Sequence, residues 1–477
     1  MATFKKILIG LLSLFATLSF ADEAKPSARP TTEAFKKSVI YQILPQHFTQ
    51  EGTLKKAQEF LPHIKSLGVD IVYLCPVFVS DDDMNREGWS KRQKASGLNN
   101  PRNPYRMKDY FNVDSLFGTN QDLKDFITEA HSYGLKVILD LVYFHCGPTA
   151  VFIKDNPDFL VRDEKGNVKN GRWNFPQLNF DNPKLREYLV KNMVYFIKDY
   201  DADGYRTDVE AAVPADFWRE AYAEIVKIKP NVIMVAESER SDAQVDVYDA
   251  NYSFKWEYRT IDVFSAKKPA SALRDIWEIQ NKKFVKGARV LRALDNHDTA
   301  SDACQPNKGG ARYEVQFGNR GMDAIQVMNF TIDGIPFIYN GNEFADDAPF
   351  SMFGDNKHGR MFVAWENIAT KEGWARMNLI RKLTKLRKDN TALWNGETKW
   401  IDNSAPNSIL SFTRIAENEK VLVVINTRNA PVNACVKLPN VDVSTTMLNY
   451  GCDYKNNEKC ISVKMKPYGY IVLRYDD

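Results

Sequence analysis

Apolar positions along this chain recur with two periods, and the switches between them mark out its elements. Short apolar runs at 39–44, 69–75, 136–142, 203–208, 232–237, 251–255, 289–294 and 336–340 read as strands. Between them, residues 53–67, 120–133, 183–200, 214–228 and 321–332 carry helical spacing. Pro183 and Pro214 stand where their helices open, at positions where a missing N–H costs nothing. Eight strands separated by crossover helices predict an α/β fold, a parallel sheet closed into a (β/α)8 TIM barrel. Two polar stretches break the alternation. One covers 81–104, after the second strand; the other covers 145–181, after the third, and reads as a small excursion over the C-terminal rim. After a last helical stretch, 373–388, runs at 408–413, 421–425 and 468–473 are β-like and closely spaced. The expected organisation is a barrel over 37–395, with the inserted domain at 145–181, and a C-terminal antiparallel β-sandwich domain over 396–477.

The other end of the chain has a different character. Lys5 and Lys6 precede an almost unbroken apolar run, 7–20, and Ala21 supplies a small residue for cleavage. This is the pattern of a signal peptide over 1–21, and it predicts a secreted or periplasmic protein with no membrane attachment after cleavage. Residues 22–36 follow as a polar leader, expected to be poorly ordered. Removing 1–21 takes away two lysines and no acid, bringing a net charge of +3 close to zero. Such a balance argues against nucleic acid and suits an uncharged substrate. With 477 residues, 44% of them apolar, a large core is affordable; the expected state is a monomer. Six cysteines are too few and too scattered for a disulfide scaffold. Cys452 and Cys460 flank an apparent hairpin and could bridge in an oxidising compartment. Cys75 and Cys146 fall near the barrel rim, with buried free thiols as the plain alternative to a bridge.

The chemistry lies in three acids. Asp208 ends the fourth strand, Glu237 ends the fifth, and Asp298 follows the seventh. Carboxylates at the C-terminal tips of successive barrel strands converge on one rim. An acid and an anion flanking one bond are what glycosidic cleavage needs.

In this setting the chain resembles the α-amylase family of glycoside hydrolases. The likeness rests on Arg206 and Asp208, on Glu237, and on His297 and Asp298. It is extended by Asp140 to His145 on the third strand and by 334–343 on the eighth. Trp173 to Asn179 and the run 68–76 add two shorter motifs. The resemblance implies Asp208 as nucleophile, Glu237 as acid/base, and Asp298 as a ligand of sugar hydroxyls. It implies that Arg206 keeps Asp208 ionised, that His145 and His297 donate to hydroxyls of the same sugar, and that Tyr105 stacks on it. Asp140, mid-strand, reads as an anchor beneath Arg206, and Trp173 as a platform or as packing.

Several residues depart from the pattern. Many members carry an Asn calcium ligand before the third-strand His; here that residue is Phe144, whose side chain cannot bind a hard cation. No metal ligand is therefore assigned; calcium stays open as a cofactor, but without its usual Asn ligand. Ala211 and Ala212 replace a Lys-His pair common past the nucleophile, Arg106 after Tyr105 is unusual, and Val209 resembles members that take α-1,6 bonds or short oligosaccharides. The expected function is a retaining endo-type α-amylase acting on starch and maltooligosaccharides. The alternatives are an oligosaccharide-specific α-glucosidase, a cyclomaltodextrinase or neopullulanase-like hydrolase, or a transglycosylase. Outside enzymology stands a glucan-binding amylase-like scaffold.

Overall fold

The computed structural model describes residues 26–299, 312–355, 357–359 and 361–476. The expected signal segment, 1–21, and the first residues of the leader lie outside them.

Eight parallel strands form the barrel: β1 (Ile40–Ile43), β2 (Ile71–Leu74), β3 (Lys136–Leu141), β4 (Gly204–Thr207), β5 (Ile233–Ala236), β6 (Ala250–Asn251), β7 (Leu291–Arg292) and β8 (Ile335–Tyr339). Their order is β6-β5-β4-β3-β2-β1-β8-β7. A parallel bridge from Asn251 to Val290 joins the two ends and closes the ring. Strands this fully buried are apolar on both faces, which is why the sequence shows runs here and not alternation. Gly204 is required at the start of β4. Its φ is +151°, and a Cβ there would lie 1.9 Å from the Ile233 carbonyl oxygen.

The differences from the sequence reading have local causes. The run 251–255 yields only the two-residue β6, because Phe254–Phe264 is a helix that buries Trp256, Thr260, Ile261, Val263 and Phe264 at helical spacing. The single helix expected over 53–67 is two, Leu54–Gln58 and Leu61–Ser66. Pro62 sits in the first turn of the second, where it has no N–H to continue the first. Leader residues 26–36, expected to be poorly ordered, are instead tied to the barrel. Ala28 donates to the Lys286 carbonyl at 2.8 Å, Arg29 donates to that of Gln244 at 2.8 Å, and its guanidinium pairs with Asp249 at 2.7 Å.

Six further strands build the C-terminal domain: β9 (Glu397–Trp400), β10 (Ile409–Ala416), β11 (Glu419–Asn426), β12 (Val432–Val436), β13 (Asp442–Asn457) and β14 (Cys460–Asp476). They form one continuous antiparallel sheet. The first half of β14 pairs with β12, its second half pairs with β11, and β13 runs along its other edge with bulges near Tyr450. Alternation sorts its side chains between two cores. Leu410, Phe412, Val421, Val423, Ile425, Tyr470 and Val472 join the barrel core. Ile409, Leu422, Val424, Ile471 and Leu473 join a separate core with Val436, Ile461 and Val463.

The expected Cys452–Cys460 bridge is not formed; Cys435 bonds to Cys460 instead. The register explains this. Cys460 faces Asn457 beside the turn, whereas Cys452 is opposite Met465, farther along the hairpin. Cys75 and Cys146 are buried free thiols, as is Cys452.

Candidate active site

At the C-terminal rim the three acids meet around a cavity of about 580 Å³, open at its mouth. Asp208, Glu237 and Asp298 line it, as do Tyr105, His145, His297 and Trp173. The side chains nominated from sequence therefore converge, apart from Arg206 and Asp140, which sit beneath the cavity.

Arg206 is the hub. Its Nη1 donates to Asp208 Oδ1 at 2.9 Å and to Asp140 Oδ1 at 2.7 Å, and its Nη2 lies 2.7 Å from Glu237 Oε1. Three tyrosine rings, Tyr73, Tyr105 and Tyr252, surround its guanidinium at 5.5–5.9 Å. Asp140 also accepts from the hydroxyls of Tyr73 (2.6 Å) and Tyr105 (2.8 Å), so it anchors Arg206 from below.

One guanidinium thus serves two cavity carboxyls and a third beneath them. Burial pushes Asp208 well above the usual carboxylate range, and the Glu237 charge adds to this against the pull of Arg206. Burial raises Glu237 too, with Arg206 opposing and Asp298 assisting. Asp298 behaves oppositely. Burial would raise it, but the guanidinium groups of Arg92, paired with it, and Arg206 outweigh burial and hold it below the usual range.

Backbone strain contributes. Val209, directly after Asp208, adopts φ 44°, ψ 45°, a left-handed conformation that a β-branched residue rarely takes. In that conformation its N–H donates to Glu237 Oε2 at 2.8 Å, locking the two strand ends together.

The histidines are assigned by their partners. Tyr105 gives its proton to Asp140, so its oxygen accepts from His297 Nε2 at 2.7 Å; Gln42 Nε2 then donates to Nδ1 at 2.7 Å. Burial lowers the His297 pKa to about 3, which keeps the ring neutral. His145 donates from Nε2 to the Tyr105 carbonyl at 2.8 Å, and burial lowers its pKa to about 4. Its Nδ1 has no partner among the described residues. The donor of His145 is therefore committed within the protein, and its other ring nitrogen is buried.

Sequence reasoning missed Arg92, Gln42, Ser90, Asn103 and the pair Met352 and Phe353. Arg92 matters most. Its guanidinium pairs with Asp298 Oδ1, and its Nη2 also donates to the Asp298 carbonyl at 3.2 Å. It rides on the short helix Lys91–Ala95 inside the 81–104 insertion, which Gln93 ties down through the Asn100 and Pro101 carbonyls at 2.9 Å. The insertion also touches the 145–181 excursion at the cavity rim, where Asn174 Nδ2 donates to the Glu87 carbonyl.

The donor set around Phe144 does not suit calcium. The Phe144 ring packs edge-on against Trp173, with centroids 6.1 Å apart. The nearby carboxylate of Asp81 is occupied by Thr149, whose N–H and hydroxyl donate at 2.7 and 2.8 Å, and by Arg106 at 3.1 Å.

Comparison with known proteins agrees with this geometry. The family profile for the α-amylase catalytic domain matches residues 19–165 and 167–400. A cyclomaltodextrinase of Thermoanaerobacter pseudethanolicus is 26% identical over 414 residues, 79% of this chain and 63% of its own length. An intracellular maltogenic amylase of Bacillus subtilis is 24% identical, covering 94% of this chain and 76% of its own. Among solved structures, a noncanonic maltogenic α-amylase from Thermotoga neapolitana superposes with a TM-score of 0.74 at 23% identity, covering 92% of this chain and 97% of its own. An α-amylase from Lactobacillus plantarum gives 0.74 at 22% identity, with 93% and 100% covered. With eight parallel strands, a C-terminal antiparallel sheet and a catalytic-domain match over most of its length, the chain belongs to the α-amylase family of glycoside hydrolases.

Proposed function

We propose that this protein is a retaining hydrolase of short α-1,4-linked glucans, releasing small sugars from maltooligosaccharides and related cyclic or branched oligomers. The carrying observation is the pair Asp208 and Glu237 held on the two terminal nitrogens of Arg206, 2.9 and 2.7 Å away. This shared seat fits the roughly 5 Å carboxyl separation of retaining enzymes. Asp208 attacks the anomeric carbon as Glu237 protonates the departing glycosidic oxygen, giving a glycosyl ester. Glu237 then takes a proton from water as the water displaces Asp208. Asp298 accepts from the sugar hydroxyls, while His297, held between Tyr105 and Gln42, and His145 form the wall beside them. Asp208→Asn should lower turnover by at least about a thousandfold while the fold persists; substantial residual activity would refute its role.

Preference for short substrates, rather than open-groove attack on starch, is supported by Arg92. Lying against Asp298, it narrows the cavity where a longer glucan would extend. The maltogenic and cyclomaltodextrin-cleaving relatives favour the same reading. Time-resolved products from soluble starch, pullulan, cyclodextrin and maltoheptaose, with and without chelator, test it. Glucose or maltose from oligosaccharides, faster than attack on starch, is the expected outcome. Early mixed long products from starch would restore the endo-acting amylase, and loss of activity with chelator would overturn the reading of Phe144. Export is part of the proposal, resting on Lys5, Lys6 and the apolar run 7–20; activity confined to the cytoplasmic fraction would remove it.

A further inference from the structure

The end of the barrel opposite the active site has more buried positive charge than its neighbours balance. A second cavity, of about 630 Å³, opens there between the starts of β7 and β8 and the C-terminal domain. Arg289, Arg292, Arg414, Trp394, Gln280 and Asp333 are among the residues lining it. Arg387 lies beside it, donating to the carbonyls of Gly334 (2.7 Å), Lys36 (2.8 Å) and Leu393 (3.0 Å). Arg414 donates to the Ala392 and Leu393 carbonyls and to Thr398 Oγ1. These acceptors are neutral.

Asp333 pairs with Arg292, and it also accepts from Trp277 Nε1 at 2.7 Å. Burial lowers Arg387 to about 9, with Arg414 adding to it and Asp333 and Asp70 opposing, and lowers Arg414 to about 10, with Asp333 opposing and Arg292 adding to it. One buried carboxylate, Asp333, is thus shared among Arg292, Arg387 and Arg414, and guanidinium groups out of water with too little counter-charge are strongly disfavoured. Two donors on deeply buried cavity-lining residues, Arg292 Nη1 and Trp394 Nε1, have no acceptor among the described residues. At the mouth stands the half-buried Arg289, which donates to the Gly287 carbonyl at 3.2 Å.

We propose that this cavity binds a phosphate-type oxyanion, held by Arg289, Arg292 Nη1 and the Trp394 indole N–H in the field of Arg387 and Arg414. Fixed planar donors with converging positive charge match an oxyanion bearing several acceptors. The barrel contributes Arg289 and Arg292, while Trp394 and Arg414 belong to the segment leading into the C-terminal sheet and to the sheet itself. The bound anion would therefore tie the barrel floor to that sheet. The base of a TIM barrel is where stability, not chemistry, is built.

The test uses the full-length exported form and titrates sodium phosphate at fixed pH and ionic strength. Binding is followed by calorimetry and by the unfolding temperature. Glycerol phosphate distinguishes an ester source from free phosphate, and sodium chloride balances the salt. The expected result is saturable binding with a rising Tm. In Arg289→Gln and in Trp394→Phe, affinity should fall about tenfold, the loss of one charge-assisted or fixed donor. The Trp394→Phe ring can still pack beneath Lys37, which now lies 4.5 Å from the indole. Turnover of maltooligosaccharides should be unchanged in both variants. No saturable binding by the wild-type protein would overturn the proposal. So would equal affinity for chloride, or undiminished affinity in both variants.

Discussion

At the scale of single residues, function here depends on how few cations serve how many carboxyls. Catalysis needs Glu237 protonated and Asp208 ionised, and burial raises both. The two titrate as one pair, so activity should fall on the alkaline side as the pair loses its single proton and on the acid side as it takes up a second. Glu237→Gln should lower turnover of natural oligosaccharides by about 10²–10⁴. An aryl glycoside whose leaving group needs no proton should recover much of the glycosylation step. On that substrate the variant should lose the alkaline limb. Its acid limb should stay close to that of the wild type, because Glu237 is already protonated and uncharged at the pH where Asp208 takes up its proton; a large shift of that limb in kcat/KM would contradict the assigned order. Arg92→Ala should remove the wall beside Asp298, and the share of products longer than maltose from maltoheptaose should rise several-fold by chromatography. An unchanged product pattern would remove Arg92 from specificity.

At the scale of elements, what could be read from sequence was whatever local chemistry dictates. Asp208 and Glu237 are legible because each ends a buried strand, and a strand tip on this fold has one destination. Arg92 is not legible. Its helix is short and polar, and its position comes from Gln93 reaching distant carbonyls, a contact without a periodic signal. The Cys435–Cys460 bond was missed for the same reason. Cβ positions across β12 and β14 depend on a register that spacing along the chain does not reveal. Cys435→Ser should lower stability by about 3 kcal/mol, the entropy of a loop closed over 25 residues. Cys452→Ser should cost less. Denaturant unfolding of both variants checks the ranking, and its reversal would place the bridge elsewhere.

At the scale of the whole molecule, the C-terminal sheet is a wall of the barrel as well as a domain. Helix Tyr313–Thr331 carries buried apolar residues into the cluster that also holds Val421, Tyr470 and Val472. Calorimetry should therefore record one cooperative transition, and two resolved transitions would argue that the parts are independent. Because β10, β11 and β14 send alternate side chains to different cores, the boundary at 396 is not a joint at which pieces can be exchanged. A related barrel grafted onto this sheet would inherit half a lining cut for another surface. In lineages descending from such a protein, the two parts are expected to change together, and a crossover at that point would leave descendants that must repair both cores before either could be useful.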